Sequence, residues 1–149
     1  MMIYRLAQPS DAKAIAANNL SLAKELENLH LSKEEAEKGS KAVLMDKQKG
    51  FYLVAEKDNN IIGQLFITTE WSDWRNKAIW WIHRVFIKKP WRKKGIFTHL
   101  FNTAKQIAEK QQVYAIRLYL LKMNKTALTI YHHLGFQETD FLILQKKEN

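Results

Sequence analysis

Cysteine is absent from all 149 residues, which excludes disulfides, a thiolate nucleophile and cysteine-ligated zinc, and fits a reducing compartment. No apolar run reaches the roughly 20 residues that a membrane helix needs, and Met1-Met2-Ile3-Tyr4-Arg5 has no apolar signal core. A cytoplasmic protein with no membrane partner is therefore expected. Acidic residues are scarce, with 15 Asp and Glu against 24 Lys and Arg, a formal charge of +9. Such a surplus favours a polyanion: nucleic acid, an acidic membrane surface or a phosphate-rich cofactor. Internal repeats, low-complexity stretches and linkers are also lacking, so residues 1–149 read as a single domain with no metal site.

What is present has a clear order. Ile3–Ala7 reads as a strand, and Pro9 and Asp11 suit the first turn of a helix carrying Ala14, Ile15, Leu22 and Leu26. Ser32-x-x-Glu35 is a capping box opening a second helix that ends near Lys47–Gly50. Phe51–Lys57 and Ile61–Thr69 form a hairpin around Asp58-Asn59-Asn60, and Glu70–Lys77 reads as a loop leading to a long strand, Ala78–Lys88. Gly95–Lys110 is the clearest helix, with Ile96, Leu100, Phe101, Ala104, Ile107 and Ala108 on one face. Strand Val113–Leu121, helix Thr126–His133 closed by Gly135, and strand Phe141–Gln145 complete the order β-α-α-β-β-β-α-β-α-β. This is an α/β chain with a mixed sheet and helices on both faces. The section 78–121 is a crossover unit whose two strands should be parallel and adjacent.

The dense basic cluster is 88–94, where an apolar strand ends in Lys88-Lys89-Pro90-Trp91-Arg92-Lys93-Lys94-Gly95 and passes into a helix. Helix-start N–H groups lack intrahelical acceptors, the dipole adds positive charge, and Gly95 permits close approach, so the turn suits phosphate. It also lies at the carboxyl end of a parallel strand, where open α/β sheets bind ligands.

In this context the chain resembles the GNAT superfamily of acetyl-CoA-dependent N-acetyltransferases over nearly its whole length. Arg92-Lys93-Lys94-Gly95-Ile96-Phe97 is similar to the family's Gln/Arg-x-x-Gly-x-Gly/Ala turn, and Asn124…Tyr131-x-x-Leu134-Gly135-Phe136 to its later pattern. The departure is Phe97, where the family usually carries Gly or Ala; its side chain is expected to turn into the core with Leu100 and Phe101. The resemblance implies that N–H groups of Lys93, Lys94, Gly95, Ile96, Phe97 and Thr98 hold the pyrophosphate, with charge from Arg92 and the lysines. It implies that Val85, Phe86 and Ile87 pair with pantetheine in a gap between strands, one N–H polarising the thioester carbonyl. It further implies that Tyr131 protonates the CoA sulfur and that Asn124 contacts the CoA arm or orients a water, besides capping its helix.

An amine attacking a thioester must first shed its ammonium proton. Candidate bases are Glu70, His83 or a chain of waters. For the acceptor, Trp71, Trp74 and Trp81 with Glu25 and Glu70 suggest a small cationic amine. Direct attack in a ternary complex is expected, because there is no cysteine to carry the acetyl group. Two readings compete: a basic nucleic-acid module, which leaves Asn124, Tyr131 and Gly135 unexplained, and a non-catalytic CoA sensor. The exposed edge of a mixed sheet suits a homodimer.

Overall fold

The computed structural model describes residues 1–148 and divides them into two compact units, parting after Leu118. In the first, β1 (Met2–Leu6) leads through a short turn, Pro9–Asp11, into α1 (Ala12–Glu27) and then α2 (Lys33–Met45). Strands β2 (Phe51–Lys57), β3 (Asn60–Ser72) and β4 (Lys77–Ile87) follow, then α3 (Ile96–Lys110) and β5 (Ala115–Leu118). The sheet order is β1-β2-β3-β4-β5. The first three pairings are antiparallel and β4–β5 is parallel, as the crossover demands.

Local chemistry accounts for the element boundaries. The Ser32 hydroxyl accepts from the Glu35 N–H at 3.2 Å, half of the capping box read from sequence. Asp58 and Asn59 both adopt positive φ, +49° and +63°, as a two-residue hairpin turn of the primed type requires. The expected loop Glu70–Lys77 is shorter: β3 continues through Ser72, with Glu70 opposite Ile79 and Trp71 opposite Ala78. Ladder bonds to β4 outweigh the weak strand preference of this polar run.

The register assigns the two faces. Tyr52, Val54 and Ile61 pack with Ile15 of α1 and with Val43 and Leu44 of α2. Leu53, Leu65, Ile67 and Ile82 point the other way, toward the buried Ile96, Leu100, Ala104 and Ala108 of α3. Gly63 is what brings the start of α3 so close: a Cβ there would sit 2.7 Å from Ile87 Cδ1 and 3.3 Å from Ile96 Cγ2. Gly63→Ala is expected to destabilise the fold by about 1–3 kcal/mol through overpacking, measured by urea denaturation, although Ile87 can swing its terminal methyl to soften the clash.

The second unit holds α4 (Lys125–His133), capped by Asn124, whose side chain accepts from the Ala127 N–H at 3.2 Å. Gly135 closes it at φ +93°, its N–H bonded to the His132 carbonyl and that of Phe136 to the Tyr131 carbonyl. The expected strand Phe141–Gln145 is not among the strands of the described residues, β1 to β5. Strand-favouring composition makes a strand only where a neighbouring edge accepts its hydrogen bonds.

Candidate active site

Strand β4 carries the site, and its course is irregular where that matters. It pairs with β5 over Ile79–Ile82, opposite Ala115–Leu118, and runs on to Ile87. On its other side Gln64 faces Phe86 and Phe66 faces His83, so Arg84 and Val85 together oppose Leu65 alone. This is a β-bulge, with Arg84 at φ +52° in the left-handed region. The extra residue inverts the alternation, so that Phe86 shares a face with His83 and Trp81 while Ile87 turns toward Gly63 and Ile96. The bulge thus lies immediately before Val85, Phe86 and Ile87, the residues expected to meet pantetheine.

After Ile87 the chain makes a short turn, Lys89–Trp91, and two left-handed residues, Lys93 at φ +61° and Gly95 at φ +77°. Gly95 is the N-cap of α3 and supplies no side-chain acceptor to the helix start. The N–H groups of the first helical turn, which begins at Ile96, point toward the turn that precedes it. Phe97 is half-buried with its ring 6.3 Å from that of Phe101, consistent with the inward direction expected of it. Lys93 and Lys94 are exposed, the Lys94 ammonium lying 5.4 Å from the Trp91 ring centre.

Arg92 differs from expectation. Its Nε donates to the Ile87 carbonyl at 2.7 Å and its terminal nitrogen to Glu25 Oε2 at 2.8 Å, with the guanidinium 5.4 Å from the Phe86 ring centre. In this geometry it braces the strand end against α1. Glu25, expected among the acceptor ligands, has its charge matched by Arg92 instead.

On the α1 face of the sheet, cross-strand neighbours collect around Trp81. Its indole N–H donates to Glu70 Oε1 at 2.9 Å, and Arg117 lies 3.9 Å from Glu70 Oε2. One turn of the ladder along, His83 Nε2 and the Thr68 hydroxyl share a hydrogen bond of 2.9 Å. Burial, aided by Arg84, lowers the His83 pKa, so the ring is neutral near pH 7 and able to take a proton. Because its folded pKa is depressed, protonation favours the unfolded chain: stability is complete above about pH 6.5 and declines below it. His83→Gln should flatten the fall of melting temperature between pH 7.5 and 5.5; equal slopes would exclude His83 as the titrating group.

Trp71 and Trp74 are 61% and 91% exposed on and beyond the end of β3, and the Asp73 carboxylate accepts from the Trp74 N–H. In the second unit, burial pushes the Tyr131 hydroxyl up to about 12, and its ring meets Phe136 edge-on at 5.4 Å. Two residues of the site escaped sequence reading. Gly63 has no motif to announce it, and Gln64, 0% exposed, looks in sequence like any polar residue in a strand.

A family model described as the Acetyltransferase (GNAT) family matches residues 19–136. The chain belongs to the GNAT acetyltransferase family. The GNAT chain is 37% identical to a solved structure of a possible acetyltransferase from Clostridium difficile, covering 100% of this chain and 99% of that one at a TM-score of 0.94. It is also 29% identical over 98 residues to an uncharacterised N-acetyltransferase of Methanocaldococcus jannaschii. That match takes in 65% of this chain and only 43% of the relative's length. The same fold recurs, at 22% identity and a TM-score of 0.79, in a predicted acetyltransferase from Clostridium acetobutylicum solved with acetyl-CoA, covering 97% of this chain and 96% of that one. No helix of the GNAT chain, among the described residues, is long and apolar enough to cross a membrane.

Proposed function

We propose that the protein is an N-acetyltransferase that moves the acetyl group of acetyl-CoA to a primary amine by direct attack in a ternary complex. The observation that carries this is the course of β4, which bulges at Arg84 and leads through a basic turn into a glycine-capped helix start. A pantetheine-like arm lies along strand backbone, and a pyrophosphate suits the N–H groups and dipole of a helix start. Here the two follow one another along the chain. Lys93 to Thr98 take the pyrophosphate, and Val85, Phe86 and Ile87 take the arm. The family match crosses the division after Leu118, which supports both units serving one acetyltransferase domain; we further propose that it works in the cytoplasm.

In the reaction the amine lone pair attacks the thioester carbonyl while a β4 N–H stabilises the oxyanion. The C–S bond then breaks and the thiolate takes the Tyr131 proton, with Asn124 orienting the CoA arm or a water. The amine's proton passes to neutral His83, to Glu70 or to water. We further propose a small cationic acceptor, held by Glu70 with Trp71, Trp74 and Trp81. The support is narrower than the sequence suggested, since Glu25 is engaged by Arg92.

Thermal melting with acetyl-CoA, CoA, ATP and an oligonucleotide tests the cofactor; a ligand at 100 times its dissociation constant adds about 2.7 kcal/mol. A shift with both CoA forms is expected. If neither produces one, the proposal fails, and an oligonucleotide shift abolished by salt would return the chain to nucleic-acid binding. Thiol release across amines of differing charge then tests the acceptor: equal rates with neutral and cationic amines would remove the cationic specificity.

A further inference from the structure

The GNAT chain sets a row of three side-chain amides between α1 and the sheet, two of them buried and Asn19 half-buried. Gln64 Nε2 donates to Asn19 Oδ1 at 2.8 Å and to the Arg84 carbonyl at 3.3 Å, while its Oε1 accepts from Asn18 Nδ2 at 3.1 Å. Asn19 Nδ2 in turn donates to the Tyr52 hydroxyl at 3.1 Å. Gln64 is wholly buried and Asn18 nearly so, and no buried side-chain nitrogen or oxygen among the described residues lacks a partner. Stability alone does not call for such a row, because apolar side chains of like volume serve a core as well as a satisfied polar network does. What the row does specify is one backbone atom. At the bulge two residues of β4 face a single residue of β3, so the ladder leaves a carbonyl over, and Gln64 takes it.

We infer that Gln64, held by Asn18 and Asn19, is a positioning residue for acetyl transfer: its hydrogen bond to the Arg84 carbonyl fixes the bulge and so aims the Val85 and Phe86 backbone at the thioester. Arg84 occupies a conformation unfavourable to a residue with a Cβ and needs the surrounding structure to keep it there. Three fixed points hold Gln64, so its amide cannot turn away. The phosphate turn, anchored by Arg92 on the Ile87 carbonyl, fixes the other end of the same segment. Between these two anchors lies the stretch from Arg84 to Ile87 that the arm would occupy. A loosened bulge misdirects the oxyanion donor, which matters more in the transition state than in binding.

The inference rests on the acetyl-transfer reading, and the experiment keeps the two apart. Gln64→Met, close in size and without hydrogen-bonding capacity toward a carbonyl, is compared with the natural protein by steady-state kinetics and residue-resolved amide exchange. Asn19→Ala, which leaves Gln64 in place, provides a milder variant should Gln64→Met not fold. The expected result for Gln64→Met is a kcat about tenfold lower with the acetyl-CoA KM within about threefold, and faster exchange at Arg84 and Val85 than elsewhere in β4. Asn19→Ala is expected to show the same pattern, smaller. Unchanged kcat and exchange, or exchange raised evenly along β4, overturns the inference. Natural protein that acetylates no amine overturns the functional reading instead, and the exchange pattern still decides whether Gln64 holds the bulge.

Discussion

Tyr131→Phe is expected to lower kcat by about 10²- to 10³-fold, within the range that a positioned general acid contributes, with little change in the KM for acetyl-CoA. The argument starts from the leaving group. A thiolate departing from a tetrahedral intermediate needs a proton, and a hydroxyl held protonated can give one. Burial pushes Tyr131 up to about 12, so its phenol stays protonated over the working pH range. The lost oxygen is small, and the ring keeps its edge-on contact with Phe136, so stability should change little. Kinetics from pH 6 to 10 with both proteins check this. Because Tyr131 does not titrate in that range, the ratio of the two rates should be constant across it. A variant with full kcat would show that the thiolate leaves without this residue's help.

Gly95→Val is expected to raise the dissociation constant for acetyl-CoA by about 10- to 30-fold, because a β-branched residue at positive φ costs on the order of 2 kcal/mol. Space is not the obstacle: a Cβ at Gly95 would meet nothing closer than His99 Nδ1 at 3.9 Å. The strain lies in the backbone, since φ is +77° there. With the turn seldom in its cradling shape, apparent affinity falls by the fraction of time it spends there. Calorimetric titration measures the loss, and melting with a fixed acetyl-CoA concentration gives an independent reading. A tenfold rise takes a ligand from 100 to 10 times its dissociation constant, reducing its stabilisation from about 2.7 to about 1.4 kcal/mol. Unchanged affinity would mean that the pyrophosphate is held elsewhere.

Much of this was legible in the sequence because it depends on neighbours along the chain. The Ser32 cap, the Asp58-Asn59 turn, the periodic face of α3, the Asn124 cap and the left-handed Gly135 each follow from a few adjacent residues. So does the basic turn before α3, where charge, glycine and a helix start lie within a dozen positions. The errors fell where a partner distant in sequence decides. Trp71 looks like a loop residue until Ala78 is placed opposite it, and Phe141–Gln145 looks like a strand, although none of the strands among the described residues includes it. Glu25 looks like a free acid, yet Arg92, 67 residues away, holds it.

By itself, then, the sequence determined the order of elements, the parallel crossover, the basic glycine-capped turn and the family resemblance, since periodicity, capping and motif spacing are local properties. Tertiary structure decided the bulge at Arg84, the inversion of faces that follows it, and the work of Gly63 and Gln64. Those depend on how many residues of one strand oppose one residue of another, a count that exists only after the strands have paired.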